Sequence, residues 1–157
     1  MKGKLQEIAK DPQGIENLVS LANLASYEDP ELASLALEIA QELLPQVESL
    51  QKRSTILQNL VRAYRQVDGE VDTGLLRDGF VLADQLREEG ETAGGMNPPG
   101  RKSGLAAMAD QLEILLISEL SKDSFDKAVD YVRSLGDDTL KLTCLIRIAQ
   151  ALSQPNY

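Results

Sequence analysis

The sequence predicts an all-α chain, specifically an α-solenoid-like stack of about four antiparallel helical hairpins made from seven to eight helices. Three observations predict it. Apolar residues recur at three- and four-residue spacings through most of the chain. Short turns with capping residues separate the periodic segments. The pattern of one segment also returns at a fixed distance further on.

The stretch from Ser54 to Arg87 carries the pattern most clearly. Ile56, Leu57, Leu60, Val61, Tyr64 and Val67 line one side of a helix, with Gln58, Arg62, Arg65 and Gln66 opposite. Asp68 and Gly69 break it, and Asp72 or Thr73 can cap the next helix by accepting N–H groups that its first turn leaves unpaired. In that next helix Leu75, Leu82 and Leu86 form one stripe and Leu76, Phe80 and Ala83 another. A helix apolar on two sides belongs between neighbours. At an offset of 43 residues, Leu32, Ala36, Ile39, Ala40 and Leu43 fall onto Leu75, Gly79, Leu82, Ala83 and Leu86. At 85 residues, Leu60-Val61-Arg62 falls onto Leu145-Ile146-Arg147. A two-helix unit of about 40 residues is the period of stacked hairpins, in which no unit buries its apolar face alone.

In chain order, Lys4 to Lys10 reads as a short amphipathic helix that closes one end. Asp11-Pro12 and Asp29-Pro30 read as start signals, with Asp at the cap and Pro at the first helical position, where its missing N–H costs nothing. The second helix turns Ile15, Leu18, Val19, Ala22 and Ala25 inward. The third ends or kinks at Leu44, because Pro45 cannot continue the ladder. The fourth and fifth helices begin near Gln51 and Thr73. Residues 90–104 are rich in Gly and Pro and read as an insertion loop within one helical-repeat domain covering 1–157. The sixth helix is expected over Gly104 to Leu120, with Ser121 to Asp123 as a turn. The seventh buries Phe125, Ala128, Val129, Val132 and Leu135, with Gly136 as its left-handed C-terminal residue. The eighth follows a cap at Asp137 or Asp138, with Leu142, Leu145, Ile146, Ala149 and Leu152 inward.

Two segments carry a resemblance. Phe125-Asp126-Lys127-Ala128 leading to Arg133-Ser134-Leu135, then Asp137 to Leu152, resembles the terminal helical pair of TPR/HEAT-like α-helical repeat proteins. Leu60 to Asp68 followed by Leu75-Leu76 is similar to helical repeats of uncharacterised bacterial proteins. The resemblance implies a helical-hairpin fold and a role in protein–protein interaction.

Composition narrows the function. A net charge of -9 opposes unspecific attraction to nucleic acid or to anionic lipid, so neither is expected as a partner. The apolar run Ile114 to Ile117 is far too short to span a bilayer. Met1 to Lys10 lacks the apolar centre of a signal peptide, which makes the cytoplasm the default expectation and leaves a leader upstream open. With no histidine, imidazole triads and imidazole metal sites have no residues to be built from. The single cysteine, Cys144, cannot form an internal disulfide and reads as a packed core thiol.

No cofactor is expected, and the chain reads as a non-enzymatic scaffold or adaptor for a protein partner, with self-association also open to it. The alternative is a small acidic inhibitor or adaptor. Asp11, Glu16, Glu28, Asp29, Glu31, Glu38, Glu42 and Glu48 occur with no Lys or Arg between Asp11 and Gln51, so the surface of residues 11–48 suits a basic partner. Within it Glu31, Glu38 and Glu42 form one stripe of the third helix. A metal-dependent enzyme using the pairs Glu38 with Glu42 or Asp126 with Asp130 is the third reading. Further candidate contact residues are Arg62, Arg65 and Arg147 on equivalent helix faces, and Met96, Arg101 and Lys102 in the loop. Gly100 to Gly104 lacks the spacing of a nucleotide-binding P-loop.

Overall fold

The computed structural model describes residues 2–11, 13–93 and 104–153, and these are helical with no strand among them. Eight α-helices occur among the described residues: α1 (Lys2–Ala9), α2 (Gly14–Ala25), α3 (Pro30–Leu43), α4 (Leu50–Asp68), α5 (Thr73–Ala93), α6 (Gly104–Asp123), α7 (Phe125–Ser134) and α8 (Asp138–Ser153). A 3-10 turn, Leu44–Gln46, follows α3. The chain divides into two compact units, Met1–Leu75 and Leu76–Tyr157.

Local chemistry sets several helix ends. The Asp29 carboxylate accepts the Leu32 N–H at 3.0 Å, with Pro30 at the first helical position of α3. Ser49 Oγ accepts the Lys52 N–H at 3.2 Å to start α4. Asp72 Oδ2 takes the Leu75 N–H at 3.1 Å at the head of α5, and Asp137 Oδ1 takes those of Thr139 and Leu140 at 2.9 and 3.1 Å at the head of α8. Each bond satisfies a donor with no partner inside its own helix. Pro45 converts the end of α3 into the 3-10 turn, and the Arg53 guanidinium binds the freed backbone by donating to the carbonyl oxygens of Pro45 and Val47.

Several ends differ from the sequence reading. Helix α2 starts at Gly14, and the Asp11 carboxylate accepts the Gln13 N–H instead of capping a helix at Pro12. A Cβ on Gly14 would lie 2.5 Å from the Ala9 carbonyl oxygen, so the close passage of the chain there requires glycine. The left-handed helix terminator is Gly69, at φ 75°, and Gly136 has no positive φ. Ser121 to Asp123 continue α6 rather than forming a turn. Of the expected insertion loop, residues 90–93 are helical in α5, Gly104 opens α6, and 94–103 lie outside the described residues.

In the first unit α2 packs against α1, α3 and α4, and α3 packs against α1 and α4. Ala22, Ala33, Ala36 and Ala40 are fully buried, and their small size lets helix backbones come close while Leu18, Leu37, Leu57, Leu60 and Val61 fill the remaining space. In the second unit α6 packs against α7 and α8, and α7 against α8. Its core holds Ile117, Ala128, Val132, Leu140, Cys144 and Ile148, flanked by Phe80 and Tyr131 stacked with ring centroids 3.9 Å apart.

Helix α8 overturns one expectation completely. Its inward face is Leu140, Cys144 and Ile148, and the residues expected inside, Leu142, Leu145, Ile146, Ala149 and Leu152, are all exposed. Both faces are apolar at helical spacing, so periodicity alone does not say which is covered. In α7, likewise, Phe125 is exposed while Ala128 and Val132 are buried.

Candidate interaction surfaces

Among the described residues, four of the exposed large hydrophobic side chains belong to α8. Leu142, Leu145, Ile146 and Leu152 keep 60%, 46%, 49% and 56% of their surface in water. Leu142, Leu145, Ala149 and Leu152 are spaced three, four and three residues apart, which lines them along one side of the helix, with Ile146 beside them. Lone exposed leucines are ordinary, but an uncharged stripe of five residues over three turns is the form in which one helix is prepared for another.

The first unit carries the acidic surface. Glu31, Glu38 and Glu42 of α3 are exposed as expected, while Ser34 between them donates to Asp68 Oδ1 at 2.7 Å. Behind them runs a polar link: the Tyr64 hydroxyl donates to Gln41 Oε1 at 2.8 Å, and Gln41 Nε2 donates to Asp72 Oδ2 at 2.9 Å. Burial above all, then the negative charges of Asp72, Glu38, Asp68 and Glu42, push the Tyr64 hydroxyl well above its ordinary pKa. Tyr64 is therefore a neutral hydrogen-bond donor across the physiological range.

The second unit contains a buried charge cluster that the sequence reading did not find. Arg87 of α5 grips Glu113 of α6 through two parallel bonds, Nη1 to Oε1 at 2.6 Å and Nη2 to Oε2 at 2.8 Å, and reaches Asp110 Oδ1 at 2.8 Å. Glu113 is only 1% exposed. The bond to Glu113 raises the Arg87 pKa further, against the opposing effect of burial, with Asp110 adding to the rise. Burial, with a smaller push from Glu113, also raises Tyr131, and burial followed by Glu113 and Asp110 lifts the Cys144 thiol to about 11. Cys144 is thus a neutral core group, with little thiolate to act as a nucleophile. The available signal was Glu113 itself: a carboxylate inside Leu112-Glu113-Ile114-Leu115-Leu116 needs a buried partner, though its spacing does not name Arg87.

The other predicted residues are distributed between the two units or lie outside the described residues. Arg62 is exposed, its Nη1 3.5 Å from Asn59 Oδ1, and Arg65 donates to the Gly69 carbonyl at 2.8 Å. Both belong to the first unit and the exposed Arg147 to the second. Met96, Arg101 and Lys102 lie outside the described residues. Glu38 and Glu42 are both exposed on α3, and Asp130 faces Arg133 at 3.6 Å. Among the described residues no group of three or more acidic or thiol side chains is placed to hold a metal ion, and no helix is long and apolar enough to cross a membrane. No protein-family model matches the chain, and no curated protein and no solved structure matches it either.

Proposed function

We propose that the chain is a non-enzymatic protein-interaction module of the helical-hairpin type, whose α8 stripe receives an amphipathic helix of a partner protein. The observation that carries this reading is the exposed row Leu142, Leu145, Ile146, Ala149 and Leu152. A precedent inside the molecule favours a helix as its occupant. Leu60 and Val61, the counterparts of Leu145 and Ile146 at the 85-residue offset, are fully buried on α4, which packs against α2 and α3. The stacked-hairpin arrangement and the likeness to TPR/HEAT-type repeats belong to the same proposal, since an array of that kind presents an apolar face wherever a neighbouring hairpin is lacking.

A photo-reactive residue at Ile146 tests it. Cross-links should join this position to one protein, through a segment of that protein with helical apolar spacing, and Leu145→Glu should abolish them while leaving helicity unchanged. Cross-linking that survives Leu145→Glu, or substrate turnover by the purified chain, would overturn the reading.

A second reading, a small acidic inhibitor or adaptor docking a basic partner on residues 11–48, is supported by the exposed Glu31, Glu38 and Glu42. Binding of that kind weakens steeply with salt and is lost on Glu38→Lys with Glu42→Lys, whereas docking on α8 resists both.

A further inference from the structure

The first unit holds a cavity of about 110 Å³, partly open to solvent, lined by Ile15, Leu43, Val47 and Ile56 with Ala9, and by Asp11, Glu16, Gln46 and Lys52. It lies among residues of α1, α2, α3, the 3-10 turn and α4, where Gly14 brings the chain close to Ala9 and Arg53 holds the Val47 carbonyl at 2.9 Å. Its wall at Val47 is therefore fastened before anything binds. The lining separates by chemistry into four larger aliphatic side chains and a polar set with two carboxylates and one ammonium. Among the described residues Lys52 pairs with Glu16 at the site, at 3.6 Å with both groups well exposed, a loose contact of little energy. The three charged groups of the lining sum to one negative charge, and the sequence from Asp11 to Gln51 carries no Lys or Arg.

The geometry points to a pocket for a lysine side chain supplied by a partner protein. Its aliphatic stem lies against Ile15, Leu43, Val47 and Ile56, and its ammonium lies at the mouth with Asp11 and Glu16, taking the place that Lys52 occupies in the free chain. The volume is below the about 150 Å³ of an apolar cavity that takes benzene, so only part of such a chain enters, and the opening to solvent leaves its charged end at the mouth. Charge selects the occupant: a carboxylate would meet two like charges, and a neutral chain would leave the one surplus negative charge of the lining in place. The inference rests on the second reading above and gives that basic partner a point of entry.

The test uses n-butylammonium as the probe and 1-butanol and butyrate as controls, followed by methyl NMR of the full chain. Butylammonium should shift the methyl signals of Ile15, Val47 and Ile56 and bind at least fivefold tighter than butanol, with butyrate weakest. Asp11→Asn and Glu16→Gln should each weaken it about threefold, while Lys52→Gln, which removes the internal competitor, should tighten it. Unchanged helicity in each variant shows that the fold survives. Equal binding of butanol and butylammonium, shifts outside the cavity only, or indifference to both carboxylate variants would overturn the pocket. Such a failure leaves the wider acidic-adaptor reading standing, because salt-sensitive docking lost on Glu38→Lys with Glu42→Lys does not depend on this cavity.

Discussion

Helices α4 and α8 carry nearly the same three residues, Leu60-Val61-Arg62 and Leu145-Ile146-Arg147, and treat them oppositely. In α4 the Leu and Val are sealed in the core; in α8 the Leu and Ile face water. Both arginines are exposed. The difference lies in what packs alongside. Helix α4 has α2 and α3 against it, and one apolar side suffices. Helix α8 is apolar on two sides, and α6 and α7 are packed by the side that holds Leu140, Cys144 and Ile148. An amphipathic pattern therefore tells how many faces want cover, and the neighbours decide which receives it.

The largest expected effect probes what fixes the second unit's packing. Arg87→Leu strands Glu113 in the interior and should cost about 3 kcal/mol or more, measured by urea unfolding. Adding Glu113→Leu should recover much of that loss, and failure of the second change to rescue would deny the pair its role. Next comes the direct contrast. Leu60→Ala should cost about 2–4 kcal/mol because it opens a void in a closed core, and Leu145→Ala less than about 0.5 kcal/mol because its side chain already meets water. Comparable costs would show that α8 is rotated, with the Leu145 side inward.

Alkaline pH gives a third measure of the buried side of α8. The Cys144 thiol is raised from 9.0 to about 11, so the folded chain holds a proton that the unfolded chain releases earlier. Its contribution is complete below pH 9 and is lost as the pH rises through about 11, amounting to at most about 3 kcal/mol over that window. Cys144→Ala should flatten the fall in stability across this range without abolishing it, since Tyr64 and Tyr131 are raised by burial in the same sense. The smallest effect is on solution behaviour: Leu145→Glu should leave the melting temperature nearly unchanged while reducing binding of a hydrophobic dye.

What could be read from the sequence was what depends on near neighbours. The helical class, the caps at Asp29, Asp72 and Asp137, and the break at Pro45 follow from residues within four positions of one another. Asp11 and Gly136 were misread because the same residue types also serve ordinary turns, and the choice depends on how the chain enters and leaves. The Arg87–Glu113 cluster joins residues on two different helices, and the cavity is lined from five successive segments, so neither has a local signature. The face of α8 is the instructive case, since its periodicity was legible and its orientation was not.

The hydrogen bonds at Gln41 have a consequence for substitution. A carboxylate such as Asp72 only accepts, so the amide nitrogen must point toward it and the amide oxygen toward the Tyr64 hydroxyl. Glutamate, identical in outline, would set two anions against each other and forfeit one bond. Leucine would keep the bulk and abandon both. Position 41 thus tolerates glutamine for the difference between its two ends, a requirement that neither size nor polarity alone expresses.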